Sequence, residues 1–247
     1  DHFTIRNWFD LYCTQGPSST PVFKQLEEKL GFFKCYETGW CKVDPFFTEP
    51  TLQNEGKTTI LYSPTFSRGI TSVEALYDTI HQIAERRDWE WIITFHPKIT
   101  DHSIINKYQK LAEKFDNVSF ERNEGLKTFQ RADVMLCDSS SIILEFMLLS
   151  KPVVTFKNTN PGPHLIDVNE CDAVEPALET ALTRPKSLME AIDTYTLNHE
   201  AHRDGNNCSR VLDAVDHFKS NFEGRIKAKP LNLWRKFRLR NKLKYWK

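Results

Sequence analysis

The sequence is without several patterns that would decide its class at once. No apolar run approaches the roughly 20 residues needed to cross a bilayer, and no signal peptide opens the chain. The six cysteines (Cys13, Cys35, Cys41, Cys137, Cys171, Cys208) form no CxxC pair, and neither they nor the histidines show metal-ligand spacing. They read as reduced structural cysteines of a cytoplasmic protein, with no zinc site. GxGxxG and the Walker lysine loop are both missing, which disfavours a dehydrogenase or a P-loop NTPase. No internal repeat is found. The last 23 residues, 225–247, lack any acidic residue but hold ten Lys or Arg. Of the 33 basic and 33 acidic residues in all, the first 224 positions therefore keep 23 basic against 33 acidic. An acidic body argues against nucleic-acid binding.

What is present centres on residues 129–158, FQRADVMLCDSSSIILEFMLLSKPVVTFKN. Asp133 to Cys137 reads as a buried strand, followed at once by Asp138 and three serines. Ile142, Ile143, Phe146, Leu148 and Leu149 give a helical pattern, which Lys151-Pro152 ends. Val153 to Phe156 starts another strand. Upstream, Thr58–Tyr62, Trp89–Phe95 and Val118–Phe120 read as strands, alternating with helices at Val73–Arg87, Ser103–Phe115 and Leu126–Arg131. This order predicts an α/β fold with a Rossmann-like, doubly wound parallel sheet. Downstream, an Asn/Pro-rich loop at 157–163 precedes helices near 175–182, 186–197 and 206–221.

Polar clusters follow three of the predicted strands: Ser63 to Arg68, His96-Pro97, and Asp138 to Ser141. Carboxyl-end loops of such a sheet share one rim, where ligands bind. Ser140 and Ser141 fit two roles there, a helix cap or a phosphate site. Glu145, one turn beyond Ser141, fits a ribose diol contact or a salt bridge. Arg68 and Thr65 fit a contact to ligand, and Arg68 equally fits a solvated position. His96 ends a buried strand and is the candidate functional histidine, with strand-end capping as the alternative.

Residues 1–43 hold a βαβ-like unit: a strand at Phe9–Cys13, a helix opened by Thr20-Pro21 and stopped by Gly31, and a strand at Phe33–Glu37. The opening DHFTIRNWFDLYC begins mid-pattern, so the sequence is expected to be a piece of a longer chain. Residues 44–57, with two prolines and little periodicity, read as a linker, and 58–220 as the main Rossmann-like domain.

Taken together, these segments resemble the CDP-glycerol glycerophosphotransferases, the teichoic-acid polymerase and primase group. CDSSSIILEFMLLSKPVV resembles the family's D-Y-S-S, apolar stretch, D-F and k-P, with Asp138, Ser140, Ser141, Glu145, Phe146, Lys151 and Pro152 at those places. TGWCKVD (38–44) resembles T-G-y-P-R-x-D, and ILYSPTFS (60–67) resembles I-L-Y-A-P-T-W. FHP (95–97) matches H-P, and DGNNCSRVLDAV (204–215) resembles D-G-x-x-x-x-R-v. Departures are Ser139 for Tyr, Cys41-Lys42 for Pro-Arg, Ser67 for a basic residue, and Glu145 for Asp. The Glu for Asp exchange keeps the charge and lengthens the reach, so CDP-ribitol or another activated polyol or sugar stands beside CDP-glycerol as the donor.

The resemblance implies a GT-B architecture, with 1–43 closing an acceptor domain and 58–220 binding the donor. It implies a transferase that moves a polyol phosphate from a CDP-activated donor to a hydroxyl of a growing cell-surface polymer (teichoic acid or capsule), releasing CMP. His96 is then catalytic, stabilising charge on the pyrophosphate and on departing CMP. Thr65, Arg68, Ser139, Ser140, Ser141, Glu145, Arg203 and Arg210 are the donor-binding set. No cofactor and no metal is expected. Two other readings stay open: a nucleotide-sugar glycosyltransferase or UDP-GlcNAc 2-epimerase-like enzyme, and a non-catalytic partner-binding domain.

The tail, 225–247, opens a helix at Pro230 and Asn232 and mixes Leu233, Trp234, Phe237, Leu243, Tyr245 and Trp246 with seven cations from Arg235 to Lys247. Basic, aromatic-rich segments lie in the headgroup region of anionic membranes. A peripheral protein on the inner face of the cell membrane, acting on a lipid-linked or polymeric acceptor, is expected. An arm for the acidic body, a neighbouring subunit or a polyanionic product is the alternative.

Overall fold

Apolar runs of four or five residues build the central sheet because both of its faces are covered, which removes any need for polar alternation. The computed structural model describes residues 3, 5, 7–50, 56–121 and 125–246. The chain divides into two compact units, Asp1–Cys41 with His199–Lys247, and Lys42–Asn198.

In the first unit, β1 (Leu11–Thr14), α1 (Thr20–Leu30) and β2 (Lys34–Glu37) form a βαβ unit with a parallel strand pair. Pro21 sits in the first turn of α1, where a missing N–H costs nothing. Gly31 closes that helix in the left-handed region, φ 72°. The small core is Phe32, Phe33 and Cys35, with Tyr12, Phe23 and Leu26 against it.

The second unit opens with α2 (Asp44–Thr48), a short helix inside the stretch 44–57 that reads as linker. Residues 51–55 of that stretch lie outside the described residues, as does Lys247 at the end of the tail. Then follow β3 (Thr59–Tyr62), α3 (Tyr77–Arg86), β4 (Glu90–Thr94), α4 (His102–Lys114), β5 (Val118–Glu121), α5 (Leu126–Arg131), β6 (Val134–Cys137), α6 (Ile142–Met147) and β7 (Val153–Phe156). A last short strand, β8 (Ile166–Val168), precedes α7 (Val174–Leu182) and α8 (Lys186–His199). The six strands are all parallel in the order β5-β4-β3-β6-β7-β8. This is the doubly wound, Rossmann-like arrangement, with its switch point between β3 and β6. Ile60, Tyr62, Leu136 and Val154 face one side, packed by Ile80 and Ile83 of α3, Tyr108 of α4 and Leu178 of α7. Leu61, Met135, Cys137 and Val153 face the other, packed by Phe129 of α5, Phe146 of α6 and Ile192 of α8.

Helix α3 begins at Tyr77, four residues later than the expected Val73; residues 73–76 form turns, although Val73 and Leu76 are buried as the pattern requires. Strand β8 is not foreseen by the sequence, because three half-buried residues give no run. Helix α9 (Asn207–Asn221), which the sequence reading places in segment 58–220, packs on β1 and so groups with the first unit. The basic tail forms α10 (Leu233–Leu243).

Candidate functional site

The switch point brings together the loop after β3, residues 63–72, and the loop after β6, residues 138–141. One side chain joins them. Asp138 is fully buried. Its Oδ1 accepts from the Thr65 and Ser139 N–H groups, both at 2.8 Å, and its Oδ2 from the Ser72 N–H at 2.9 Å and the Ser72 hydroxyl at 3.0 Å. Burial pushes the Asp138 carboxyl up, and these four bonds pull the other way. The carboxylate is thus spent on holding two loops in register, and it leaves the serines beyond it to face outward.

Ser139 faces the loop after β7: its Oγ accepts from the Thr159 N–H at 2.8 Å, and Asn158 Nδ2 donates to the Asp138 carbonyl at 2.6 Å. Ser140 and Ser141 instead line a cleft of about 610 Å³ together with His96 and Glu145. Glu145 is buried, and Lys42 Nζ donates to its Oε1 at 2.7 Å. Lys42 is largely exposed, so water screens the pair and its worth to stability is small. The salt-bridge role foreseen for Glu145 is therefore realised, and its carboxylate still borders the cleft.

His96 leaves the end of β4 half-buried. Its Nδ1 accepts from the Lys98 N–H at 3.0 Å, which puts the proton of the neutral ring on Nε2 as a donor. The Phe66 ring packs on the imidazole, centroids 4.5 Å apart, and Lys98 Nζ stands 4.6 Å from the Phe66 centroid on the same wall.

Thr65 and Arg68 line a second cleft of about 570 Å³, with Phe66, Thr71 and Lys98. Phe66 touches His96 of the first cleft and borders the second, so its ring is a shared partition. Arg203 and Arg210 belong to the first unit. Arg210 grips Asp204 with both terminal nitrogens, at 2.8 and 2.5 Å, and donates to Asn207 Oδ1 at 3.2 Å. The Arg210 guanidinium holds the Asp204 carboxyl well below the usual range.

Of the polar side chains lining the cleft, Lys42, Glu49, Lys127 and Thr128 escape the sequence reading. Lys42 stands inside the TGWCKVD motif, so a signal existed; Lys127 and Thr128 open a short helix with no pattern of their own. Lys151, part of the k-P motif, has a structural task. Its amine donates to the carbonyls of Phe129, Gln130 and Ala132 at 2.9, 2.7 and 2.5 Å and so closes the end of α5. Burial pushes it down to about 8. Among the described residues, no group of three or more His, Cys, Asp or Glu stands together as a metal site, and no helix is long and apolar enough to cross a membrane.

The comparisons with known proteins agree with one another on fold. The sequence model of the CDP-Glycerol:Poly(glycerophosphate) glycerophosphotransferase family matches residues 19–217. No curated protein matches the chain. Among solved structures, the wall teichoic acid polymerase TagF is similar at TM-score 0.60 and 15% identity, over 90% of this chain and 61% of that one. A variant of TagF soaked with CDPG gives 0.54 and 17%, over 88% and 60%. A UDP-N-acetylglucosamine 2-epimerase from Listeria monocytogenes gives 0.56 and 16%, over 88% and 62%. The chain spans about three-fifths of the length of these structures. At such identities the likeness is one of fold, the Rossmann-like sheet of GT-B proteins.

Proposed function

The chain belongs to the CDP-glycerol:poly(glycerophosphate) glycerophosphotransferase family, and from that premise we propose that it binds a CDP-activated polyol in the cleft of Ser140 and Ser141 and takes part in transfer of the polyol phosphate. The observation that carries this reading is convergence. His96, Ser140, Ser141 and Glu145, on two loops and a helix after different strands, border one cleft at the switch point of the sheet.

In this reading an acceptor hydroxyl attacks the β-phosphorus of the CDP-polyol. A new P–O bond forms, the bond to the CMP oxygen breaks, CMP leaves, and the hydroxyl proton is released. Ser140 and Ser141 donate to pyrophosphate oxygens. The Nε2–H of His96 donates to the oxygen on which negative charge grows as CMP departs, an interaction strongest in the transition state. Glu145, steadied by Lys42, accepts from the ribose hydroxyls. Thr65 and Arg68, behind the Phe66 partition, face the transferred group, and Ser139 sets the loop that carries its two neighbours. The segment 58–198 acts as donor domain and the βαβ unit of residues 1–43 as part of the acceptor side. The acceptor is a lipid-linked or polymeric polyol phosphate of a teichoic acid or capsule. The basic tail holds the protein on the inner face of the membrane, where exposed Trp234, Phe237 and Trp246 enter the headgroup layer.

Titration calorimetry tests the donor. CDP-glycerol and CDP should bind and UDP should bind more weakly. Binding of UDP with no response to CDP would overturn this reading in favour of a UDP-sugar enzyme, the class to which the epimerase neighbour belongs.

A further inference from the structure

The tail helix does not hang free of its unit. At its root the Lys227 N–H donates to the Gly31 carbonyl at 3.0 Å. Lys229 Nζ meets Asp10 at 2.5 Å and donates to the Trp8 carbonyl at 3.3 Å. The Arg235 guanidinium then stands over the Trp8 indole, 5.5 Å from its centroid. Trp8 and Arg235 are thus brought together from opposite ends of the sequence, and a cleft of about 390 Å³ opens between them. Trp8, Leu231 and Leu239 supply apolar wall, while Lys229, Arg235 and Lys236 supply charge, and none of the described lining residues is acidic. Lys229 is paired with Asp10, and Arg235 and Lys236 add two further cationic side chains to the lining.

An amphipathic tail that merely lies on a bilayer has no use for a cleft of this kind. Its own aromatics suffice: Trp234 and Phe237 stack at 5.7 Å, Phe237 meets Trp246 at 5.4 Å, and all three are exposed. Trp8 lies more than 200 positions away from them and is 65% exposed, an indole held at the mouth of a cationic pocket. Indoles favour the boundary between water and hydrocarbon, and lysine with arginine favours phosphate. The volume lies within the range of small-ligand sites.

We infer that the cleft between Trp8 and α10 seats one anionic phospholipid headgroup, its phosphate on Arg235 and Lys236 and its glycerol and first methylenes on Trp8, Leu231 and Leu239. This rests on the membrane reading of the tail and adds to it a defined lipid seat. The occupant is an anionic lipid because the cleft joins charge to apolar surface; a free sugar phosphate would use only the charge.

Vesicle co-sedimentation tests it, with phosphatidylcholine vesicles containing or lacking phosphatidylglycerol. Removal of residues 225–247 should abolish binding to the anionic vesicles. Trp8→Ala with Arg235→Gln should weaken it about tenfold with the tail still present. Loss on truncation with unchanged binding of the double variant would overturn the lipid seat and leave the tether. Binding unaffected by truncation would overturn the tether and the seat together. Should the double variant fail to fold, a second measurement stands in: dioctanoyl-phosphatidylglycerol below its micellar range should change the tryptophan fluorescence of the intact chain, and Trp8→Phe should remove that change. Glycerol 3-phosphate at the same concentration should leave the fluorescence unaltered; an equal response would assign the cleft to free phosphates and overturn the lipid seat. An equal response to soluble poly(glycerol phosphate) would assign it to a polyanionic product, with the same consequence.

Discussion

Each unit is stapled by a fully buried carboxylate, and the two staples serve different ends. In the second unit Asp138 gathers N–H groups from Thr65, Ser72 and Ser139 at the rim of a sheet. In the first, Glu200 accepts from the Trp40 N–H at 2.7 Å, the His202 N–H at 3.1 Å and Asn207 Nδ2 at 3.2 Å. It thereby joins the TGW and DGNN motifs, whose Trp40 and Asn207 lie 167 residues apart along the chain. Gly39 is needed there: it has φ 78°, and a Cβ on it would lie 2.0 Å from Asn207 Oδ1. Burial pushes both carboxyls up. The difference lies in what borders them. Beside Asp138 two hydroxyls open on a cleft. Beside Glu200, Arg210 reaches Asn207 and is turned onto Asp204. A buried acid is therefore internal scaffolding in both places, while only Asp138 has neighbouring hydroxyls that line a cleft.

The comparison breaks most easily at the staples. Asp138→Ala and Glu200→Ala should each destabilise by about 3–5 kcal/mol, because buried donors are left without an acceptor. Urea denaturation measures this, and a loss under 1 kcal/mol at either site would mean that its bonds are not structural. A smaller effect sharpens the contrast. Ser140→Ala should leave the urea midpoint in place and weaken CDP binding by about 1.5–3 kcal/mol, the worth of a hydrogen bond to a charged phosphate. Unchanged affinity would return Ser140 to the helix-capping role. The smallest effect is in the first unit. The Asp204 carboxyl is depressed on folding, so the stability it gains from Arg210 is present at neutral pH and is lost as pH falls below about 4. The stability difference between the intact chain and Arg210→Gln should shrink from pH 6 to pH 3; a constant or growing difference would contradict the pairing.

The inner strands were legible because they are buried on both faces and so read as apolar runs; Val153–Phe156 emerged with its expected bounds, and β3, β4 and β6, with the half-buried edge strand β5, within a residue or two. The cleft was half legible. Periodicity placed Ser140, Ser141, His96 and Glu145 at strand ends or on the following helix, and parallel topology then gathered them. It could not say that Asp138 would be consumed by backbone, since hydrogen-bond partners 66 and 73 residues away leave no local pattern. Nor could it foresee that Thr65 and Arg68 would line a separate cleft, because the path of a ten-residue loop follows from its bonds to Asp138 and Tyr62. The motif marked Lys42, but not its pairing with Glu145, 103 residues on.

Because Asp138 holds Thr65 and Ser72 at once, the rim loop is fastened at both ends before any ligand arrives. A ligand entering such a site meets groups that are already ordered, and little chain entropy is lost on arrival. The amide protons of Thr65 and Ser72 should then exchange with solvent only on global unfolding, at the same slow rate with and without nucleotide. The heat of binding should come from the phosphate contacts themselves rather than from the folding of a loop around them.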